Sequence, residues 1–299
     1  MSTDATGAAI QPELSKTGHR QACKKGHFFT IVADCDHVLF HYTESHSSDA
    51  VKQLFSGFSG HLQSDASSVY DLLERRLQDR GAPSEGDAAS KGLRLVGCWA
   101  HCRRYFFEAA LSKHRSAVEG LKRIRELYRI EATLAKLAPS ERKKRRATLL
   151  APLIDDFFQW VRAAKLTEVG RTLATKALGY ALNQENELRR VLEDGRLSLD
   201  NTRSERSLRR IVVGRKNWLF YGSDVHAQSA AALFSVIASC RLHQLDPLSY
   251  LIDLLRVLPC WPRERYIELA PKNWAVTRPA LNAAELSSPV GIITVPSGT

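Results

Sequence analysis

The chain has 299 residues, 44% of them hydrophobic and 25% charged, enough for a substantial core in one large domain or two. Its 43 Lys+Arg against 32 Asp+Glu leave a net charge of +11, which points to a polyanionic partner, nucleic acid first and anionic membrane second. No apolar run reaches the ~18 residues of a membrane-spanning helix, the N-terminus lacks a basic-then-apolar signal pattern, and six scattered cysteines in so long a chain predict reduced thiols.

In chain order, residues 1–26 are polar and aperiodic and predict a flexible lead-in. Residues 28–33 and 38–42 are β-rich, and Asp34-Cys35-Asp36-His37 between them predicts a hairpin with acids at its turn. Residues 47–55 have helical spacing, with Ser47 or Ser48 as cap. Residues 60–65 predict a short strand ending in an acid, and residues 67–77 a helix through Val69, Leu72 and Leu73. Residues 81–92 predict a surface loop and residues 93–99 one more strand.

From Arg103 to about Glu193 the pattern turns helical throughout. Val118, Leu121, Ile124, Tyr128, Leu134 and Leu137 repeat until Pro139. A second helix follows Ser140, with Leu149, Leu150, Leu153, Ile154, Phe157, Phe158 and Val161 facing inward, and a third spans residues 171–190. The basic run Arg142-Lys143-Lys144-Arg145-Arg146 reads as a solvated helix face, phosphate contact being the rarer alternative. Asp200, Asn201 and Thr202 predict the start of another helix. On it Glu205, Leu208 and Val212 share one stripe, while Arg203, Arg206 and Arg210 share its neighbour. Taken alone, Thr202-x-x-Glu205 reads as a capping box. Helices over 227–242 and 247–258 and a Pro/Ser-rich tail from Pro279 complete the chain.

Three carboxylates stand out by position: Asp34 at a strand end, Asp65 at a later strand end, and Glu205 opening a helix far downstream. Each alone is an ordinary turn or cap former. Together they fit two divalent metals, because Mg²⁺ takes few hard oxygen ligands from protein and a metal pair clamps both oxygens of a phosphoryl transfer. Arg203, Arg206, Arg209 and Arg210 would hold nucleic-acid phosphates beside such a site. Cys98-x-x-His101-Cys102 invites a zinc reading, but no second ligand pair lies nearby. Cys98 on a buried strand with His101 hydrogen-bonded at its end is the expectation, and His101 orienting a carboxylate or phosphate is the alternative. Trp99 and Trp218 read as buried, with stacking on an unpaired base as the functional alternative.

The segments Phe28-Phe29-Thr30-Ile31-Val32-Ala33-Asp34, Gly60-His61-Leu62-Gln63-Ser64-Asp65-Ala66 and Gly97-Cys98-Trp99-Ala100-His101-Cys102-Arg103-Arg104-Tyr105-Phe106 occur in this order. After them come Asp200-Asn201-Thr202-Arg203-Ser204-Glu205, Gly214-Arg215-Lys216-Asn217-Trp218-Leu219-Phe220 and Trp261-Pro262-Arg263-Glu264-Arg265-Tyr266. In this combination the chain, over residues 26–274, resembles the transposases of the insertion-sequence sixty-six family. The resemblance implies an α/β fold, a ribonuclease H-like mixed sheet with a large all-helical insertion before the last catalytic acid. Residues 1–26 would then be the lead-in, 27–107 the first part of the core and 108–198 the insertion. Residues 199–274 would complete the core with helices, and 275–299 would form a tail.

The same resemblance implies DDE-type strand cleavage and strand transfer at transposon ends. Asp34, Asp65 and Glu205 would be the catalytic acids holding Mg²⁺, with Mn²⁺ as a substitute, and no covalent protein–DNA intermediate would form. Arg203, Arg206, Arg209, Arg210, Arg215 and Lys216 would contact DNA, with Asp36, His101 and Asn201 as further site candidates. The implied partners are DNA of the transposon ends and target, further copies of the chain on that DNA, and accessory proteins of the same element, in a bacterial cytoplasm near the nucleoid and away from any membrane.

Three departures from the family pattern bear on these expectations. Thr202 follows Asn201 where relatives carry a second Asn. Cys35 follows Asp34 where relatives carry an acid, which makes Asp36 the second candidate. Relatives also carry a long N-terminal DNA-binding region, so the chain is expected to be a truncated remnant or a subtype whose end recognition sits on another polypeptide. A non-catalytic, transposase-derived DNA-binding or regulatory protein is the competing reading, and a nuclease cutting RNA–DNA hybrids on the same fold is a third.

Overall fold

The computed structural model describes residues 1–12, 22–33, 36–65, 69–70, 92–288 and 291–296. Its strands are β1 (Ser2–Ile10), β2 (Lys24–Ala33), β3 (His37–Thr43), β4 (Gly60–Gln63) and β5 (Leu93–Val96), in one mixed sheet of order β3-β2-β1-β4-β5. The helices are α1 (Ser48–Leu54), α2 (Trp99–Leu111), α3 (Arg115–Leu134), α4 (Pro139–Arg145), α5 (Ala151–Thr167), α6 (Leu173–Asn183) and α7 (Glu185–Arg189). After them come α8 (Thr202–Trp218), α9 (Asp224–Leu242), α10 (Pro247–Val257), α11 (Trp274–Thr277) and α12 (Ala283–Ser287). Compactness divides the chain into two units, Met1–Asp4 with His46–Glu205, and Ala5–Ser45 with Arg206–Thr299.

In the first unit β1 begins parallel to β4, with Ser2 opposite Gln63, and β4 runs parallel to β5 from Gly60↔Leu93 to Gln63↔Val96. Ser47 caps α1 by accepting from the Ala50 amide, so of the two expected caps Ser47 serves. The 93–99 strand stops at Val96. A Cβ on Gly97 would come within 3.0 Å of the Leu188 amide, and the Gly97 amide donates to the Glu187 carbonyl, so the chain leaves the sheet there. Cys98 then stands at the N-cap of α2 rather than on a strand.

The helices from α2 to α7 close on one aromatic core, with Trp99 against Phe157 and Phe158 at 5.3 and 6.0 Å and Phe106 against Phe157 at 6.0 Å. Full burial of each such ring is worth about 1.5–3 kcal/mol, which makes the helices' apolar faces, more than their propensities, the source of order here. Among the expected inward residues Leu150, Ile154, Phe157, Phe158 and Val161 are buried, whereas Leu149 is exposed. The helix expected over 171–190 is broken at Gln184 into α6 and α7.

The basic run departs furthest from expectation. Lys143, Lys144 and Arg145 are exposed, but Arg146 is fully buried at the start of a π-helical turn (Arg146–Leu150). Its five N–H donors are all used, two on Glu131 at 2.9 and 2.5 Å and three on the carbonyls of Val191, Asp194 and Leu197 at 2.9, 3.1 and 2.7 Å. Arg142 likewise spends its guanidinium on the carbonyls of Leu134, Ala135, Leu137 and Gly195.

In the second unit β2 and β3 form the expected antiparallel hairpin, paired from His27↔Thr43 to Ala33↔His37. Ser235 and Ser239, one turn apart on α9, bond the main-chain N–H and C=O of Phe40 and Val38, so a helix satisfies the strand that ends the sheet. The lead-in expected over 1–26 is corrected by β1, which alternates enough to bury Thr3, Ala8 and Ile10. On α8 the buried positions are Ser204, Leu208, Ile211 and Gly214; Val212, expected beside Leu208, is exposed. The expected tail is corrected as well, because Leu281 and Ile293 join Tyr250, Trp261 and Trp274 in a core of their own. The helix expected over 67–77 lies outside the described residues except at 69–70, as does nearly all of the 81–92 loop. No helix among the described residues is long and apolar enough to cross a membrane.

Candidate active site

The first unit gathers acids from separate elements at one end of its sheet. Gln63 ends β4, and Asp65 follows two residues later. β1 and β4 pair in parallel at Ser2↔Gln63, and beyond that pair Asp4 and Asp65, each two residues on, both act with their charge on the buried Tyr70 hydroxyl, Asp4 lying on the side of β1 that Ser2 shares. That side meets the start of α8, where the hydroxyls of Ser2 and Ser204 are 2.7 Å apart and the Asn201 amide donates to the Thr3 carbonyl at 3.5 Å. Glu205 occupies the first turn of α8, its amide bonded to the Asn201 carbonyl at 3.2 Å. Asp200 accepts from the Thr202 amide at 3.2 Å and from the Tyr128 hydroxyl at 3.0 Å, so the helix start is held from outside the helix too.

His101, on the first turn of α2, brings its Nε2 to 3.8 Å from Glu205 Oε1, while its Nδ1 is buried without a hydrogen-bond partner among the described residues. This corrects the expectation of a histidine hydrogen-bonded at a strand end. Burial lowers its pKa, Arg104 adds to that, and the charges of Glu205 and Asp65 oppose it. Tyr70 lies buried nearby, its hydroxyl pushed up by burial and further by the charges of Asp65 and Asp4. Asp4, Tyr70, Asp65, His101 and Glu205 are thus linked in sequence by the fields they exert on one another.

The lowered His101 value has a measurable consequence. An unfolded histidine titrates near 6.5, so the folded chain disfavours the proton and His101 contributes stability that is complete above about pH 6.5. That contribution is lost as pH falls through the lower folded value. Urea midpoints from pH 7.5 to 5 should therefore fall less steeply in His101→Gln than in wild type. Equal slopes would mean that the ring protonates as readily folded as unfolded.

The remaining expected residues fall as follows. Asp34 and Cys35 lie outside the described residues. Asp36 belongs to the second unit, where Lys272 binds its carboxylate at 2.6 Å and holds its pKa down. Arg203, Arg206, Arg209, Arg210 and Lys216 are exposed along α8, whereas half-buried Arg215 donates to the Gly7 carbonyl. Trp99 is buried as expected, donating to the Leu188 carbonyl at 3.1 Å. Trp218 is not; it is 40% exposed and stacks on Phe234 at 5.8 Å, folded over Gly214, where a Cβ would collide with its ring.

Cys98 and Cys102 are buried thiols pushed up by burial, Cys98 to about 11, and Cys98 donates to Asn201 Oδ1 at 3.1 Å. Both thiols are thus engaged inside the fold, Cys98 on Asn201 and Cys102 in the apolar core. Among the described residues no three His, Cys, Asp or Glu side chains are already gathered tightly enough to hold a metal ion. The donor set at the sheet end is nonetheless the hard, oxygen-rich kind that suits Mg²⁺, with two carboxylates following the Ser2↔Gln63 pair on neighbouring chains and a third beside a histidine disfavoured from charging. Asp4 is the residue that the sequence reading passed over. The signal available for it was the alternation of Ala8 and Ile10 along an otherwise polar stretch.

Two family models match the chain, one described as the Transposase IS66 family over residues 11–229 and one as the IS66 C-terminal element over residues 235–272. Among curated relatives, the uncharacterized protein y4hP of Sinorhizobium fredii is 29% identical over 278 residues, covering 85% of this chain and 48% of that protein. The uncharacterized protein y4jD of the same organism is 30% identical over 245 residues, covering 79% of this chain and 45% of that protein. The chain spans about half the length of the curated relatives it matches. No solved structure matches it.

Proposed function

This chain belongs to the Transposase IS66 family, and we propose that it carries a DDE-type catalytic centre that cuts and joins DNA at the ends of a mobile element. The observation that supports the reading is the parallel Ser2↔Gln63 pair of β1 and β4, beyond which Asp4 and Asp65 follow on neighbouring chains and both act on the Tyr70 hydroxyl. With Glu205 they form the acid set, and Asp4 takes the place expected of Asp34. The sheet order β3-β2-β1-β4-β5, antiparallel between β2 and β3 and parallel from β1 through β5, supports a ribonuclease H-like core, into which α2–α7 would be the insertion.

Asp4, Asp65 and Glu205 would hold Mg²⁺ or Mn²⁺, which when bound supplies activation of the attacking oxygen and stabilisation of the leaving one. The chain's own side chains do the rest. His101, disfavoured from charging by burial, stands with its Nε2 3.8 Å from Glu205 Oε1 and would orient that carboxylate. The exposed Arg203, Arg206, Arg209, Arg210 and Lys216 would grip phosphates along α8, setting the scissile bond against the acids and making binding weaken as salt rises. Copies of this chain on the DNA and accessory proteins of the same element would complete the assembly.

DNA carrying the element's ends, incubated with the protein and Mg²⁺ or Mn²⁺, should yield fragments with free 3′-hydroxyls and joined products, both lost on chelation. A chain that binds this DNA but cuts it with neither metal would instead be a DNA-binding regulator. Preferential cutting of RNA–DNA hybrids would favour the RNA-processing alternative.

A further inference from the structure

Beneath the acid-bearing elements lies a set of buried polar side chains that hold those elements to one another. Gln63, 3% exposed, uses one amide nitrogen to donate to the Gly97 carbonyl at 3.2 Å and the Ser198 carbonyl at 2.8 Å. Cys98, 1% exposed, donates its thiol proton to Asn201 Oδ1 at 3.1 Å. Asn201, also 1% exposed, donates from its own nitrogen to the Thr3 carbonyl at 3.5 Å. The Trp99 amide closes the set on the Leu199 carbonyl at 2.9 Å. Each of these positions lies one to four residues ahead of a site residue along the chain: Thr3 before Asp4, Gln63 before Asp65, Cys98 before His101, Asn201 before Glu205.

We propose that Gln63, Cys98 and Asn201 are positioning residues, a buried joint that fixes β1, β4, α2 and α8 to one another and so sets the spacing of Asp4, Asp65, His101 and Glu205. The inference rests on the acid-site reading above and extends it to the side chains behind the acids. The chemistry of each position is specific. Asn201 must accept from a thiol and donate to a carbonyl at once, which an amide does and neither a carboxylate nor an alkyl group can. Burial keeps Cys98 protonated, hence a donor, up to about pH 11. Gln63 must offer two hydrogens from one nitrogen, and the Gly97 carbonyl it serves is buried.

Serine is the conservative replacement for Cys98, a stronger donor at the same branch point, while alanine leaves Asn201 Oδ1 without its proton. The test compares wild type, Cys98→Ser, Cys98→Ala and Gln63→Met in three measurements: urea midpoint, amide hydrogen exchange over residues 98–105 and 200–208, and binding of Mn²⁺ alone by electron paramagnetic resonance. In Cys98→Ala, exchange over 200–208 should quicken although the substitution lies in another element, and half-saturation by Mn²⁺ should rise ~10-fold or more, as when a ligand's supporting shell is lost. Cys98→Ser should match wild type in both. Gln63→Met should raise the Mn²⁺ requirement similarly, and it carries the test if Cys98→Ala fails to fold.

Unchanged exchange over 200–208 in Cys98→Ala would overturn the joint, and so would a Cys98→Ser variant as damaged as Cys98→Ala, since packing alone would then be at issue. If wild type itself takes up no Mn²⁺, the acid-site reading fails. The exchange arm, which needs no metal, then decides the joint by itself.

Discussion

Asp4→Asn and Glu205→Gln should each lower the proposed metal-dependent strand cleavage by ~10³-fold or more, the scale on which members of a catalytic set act when one is removed, while Asp34→Asn should leave it within a few-fold of wild type. Asp4 and Asp65 each follow the parallel Ser2↔Gln63 pair by two residues, and the side of β1 that Asp4 shares with Ser2 faces the start of α8. Both substitutions keep shape and remove a negative charge, so urea midpoints should stay close to wild type. Cleavage of end-bearing DNA under Mg²⁺ and Mn²⁺ is the measurement. An inactive Asp34→Asn beside an active Asp4→Asn would restore the order of acids that the motifs imply and remove Asp4 from the site.

The second large effect is on stability. Arg146→Met should lower the free energy of unfolding by about 3–5 kcal/mol, the range for breaking a buried ion pair and stranding its partner. Glu131 loses its counter-ion, and the carbonyls of Val191, Asp194 and Leu197 lose the donor that the fully buried guanidinium supplies. Adding Glu131→Leu should recover the part due to the stranded charge but not the part due to the carbonyls. Arg146→Lys should fall well short of wild type, because an ammonium with three donors cannot serve five contacts spread over a planar fork. Urea unfolding of the three variants separates these contributions. A single substitution worth less than ~1 kcal/mol would mean that Arg146 reaches solvent.

Comparing expectation with structure shows where local pattern suffices. The β2–β3 hairpin, the Ser47 cap, the short strand before Asp65, the helices α9 and α10 and the long helical stretch after Arg103 were all readable. Each is encoded within a window of a few turns, by alternation, by 3.6-residue spacing or by a capping side chain. The strand at the N-terminus was not, because Ser2–Ile10 holds few large apolar residues and its burial comes from lying between two neighbours in the sheet. The solvated reading of Arg146 failed for a related reason. A run of five basic residues shows its charge to any local reading, whereas its partners Glu131, Val191, Asp194 and Leu197 lie on other elements.

The candidate site divides along the same line. Asp65, Glu205 and the arginines of α8 were legible as residue types at telling positions, and the ordered motifs around them were enough to name the family, because a motif is a local string. The candidacy of Asp4 as the acid beside Asp65 comes from strand pairing, and the nearness of His101 to Glu205 from how α2 and α8 are seated. The joint of Gln63, Cys98 and Asn201 is likewise a product of tertiary structure, since each hydrogen bond joins backbone or side chains far apart in sequence. Chemistry that resides in one segment can be read from that segment. Distances between segments depend on the packing and pairing of the whole unit, and become visible only once the chain is folded.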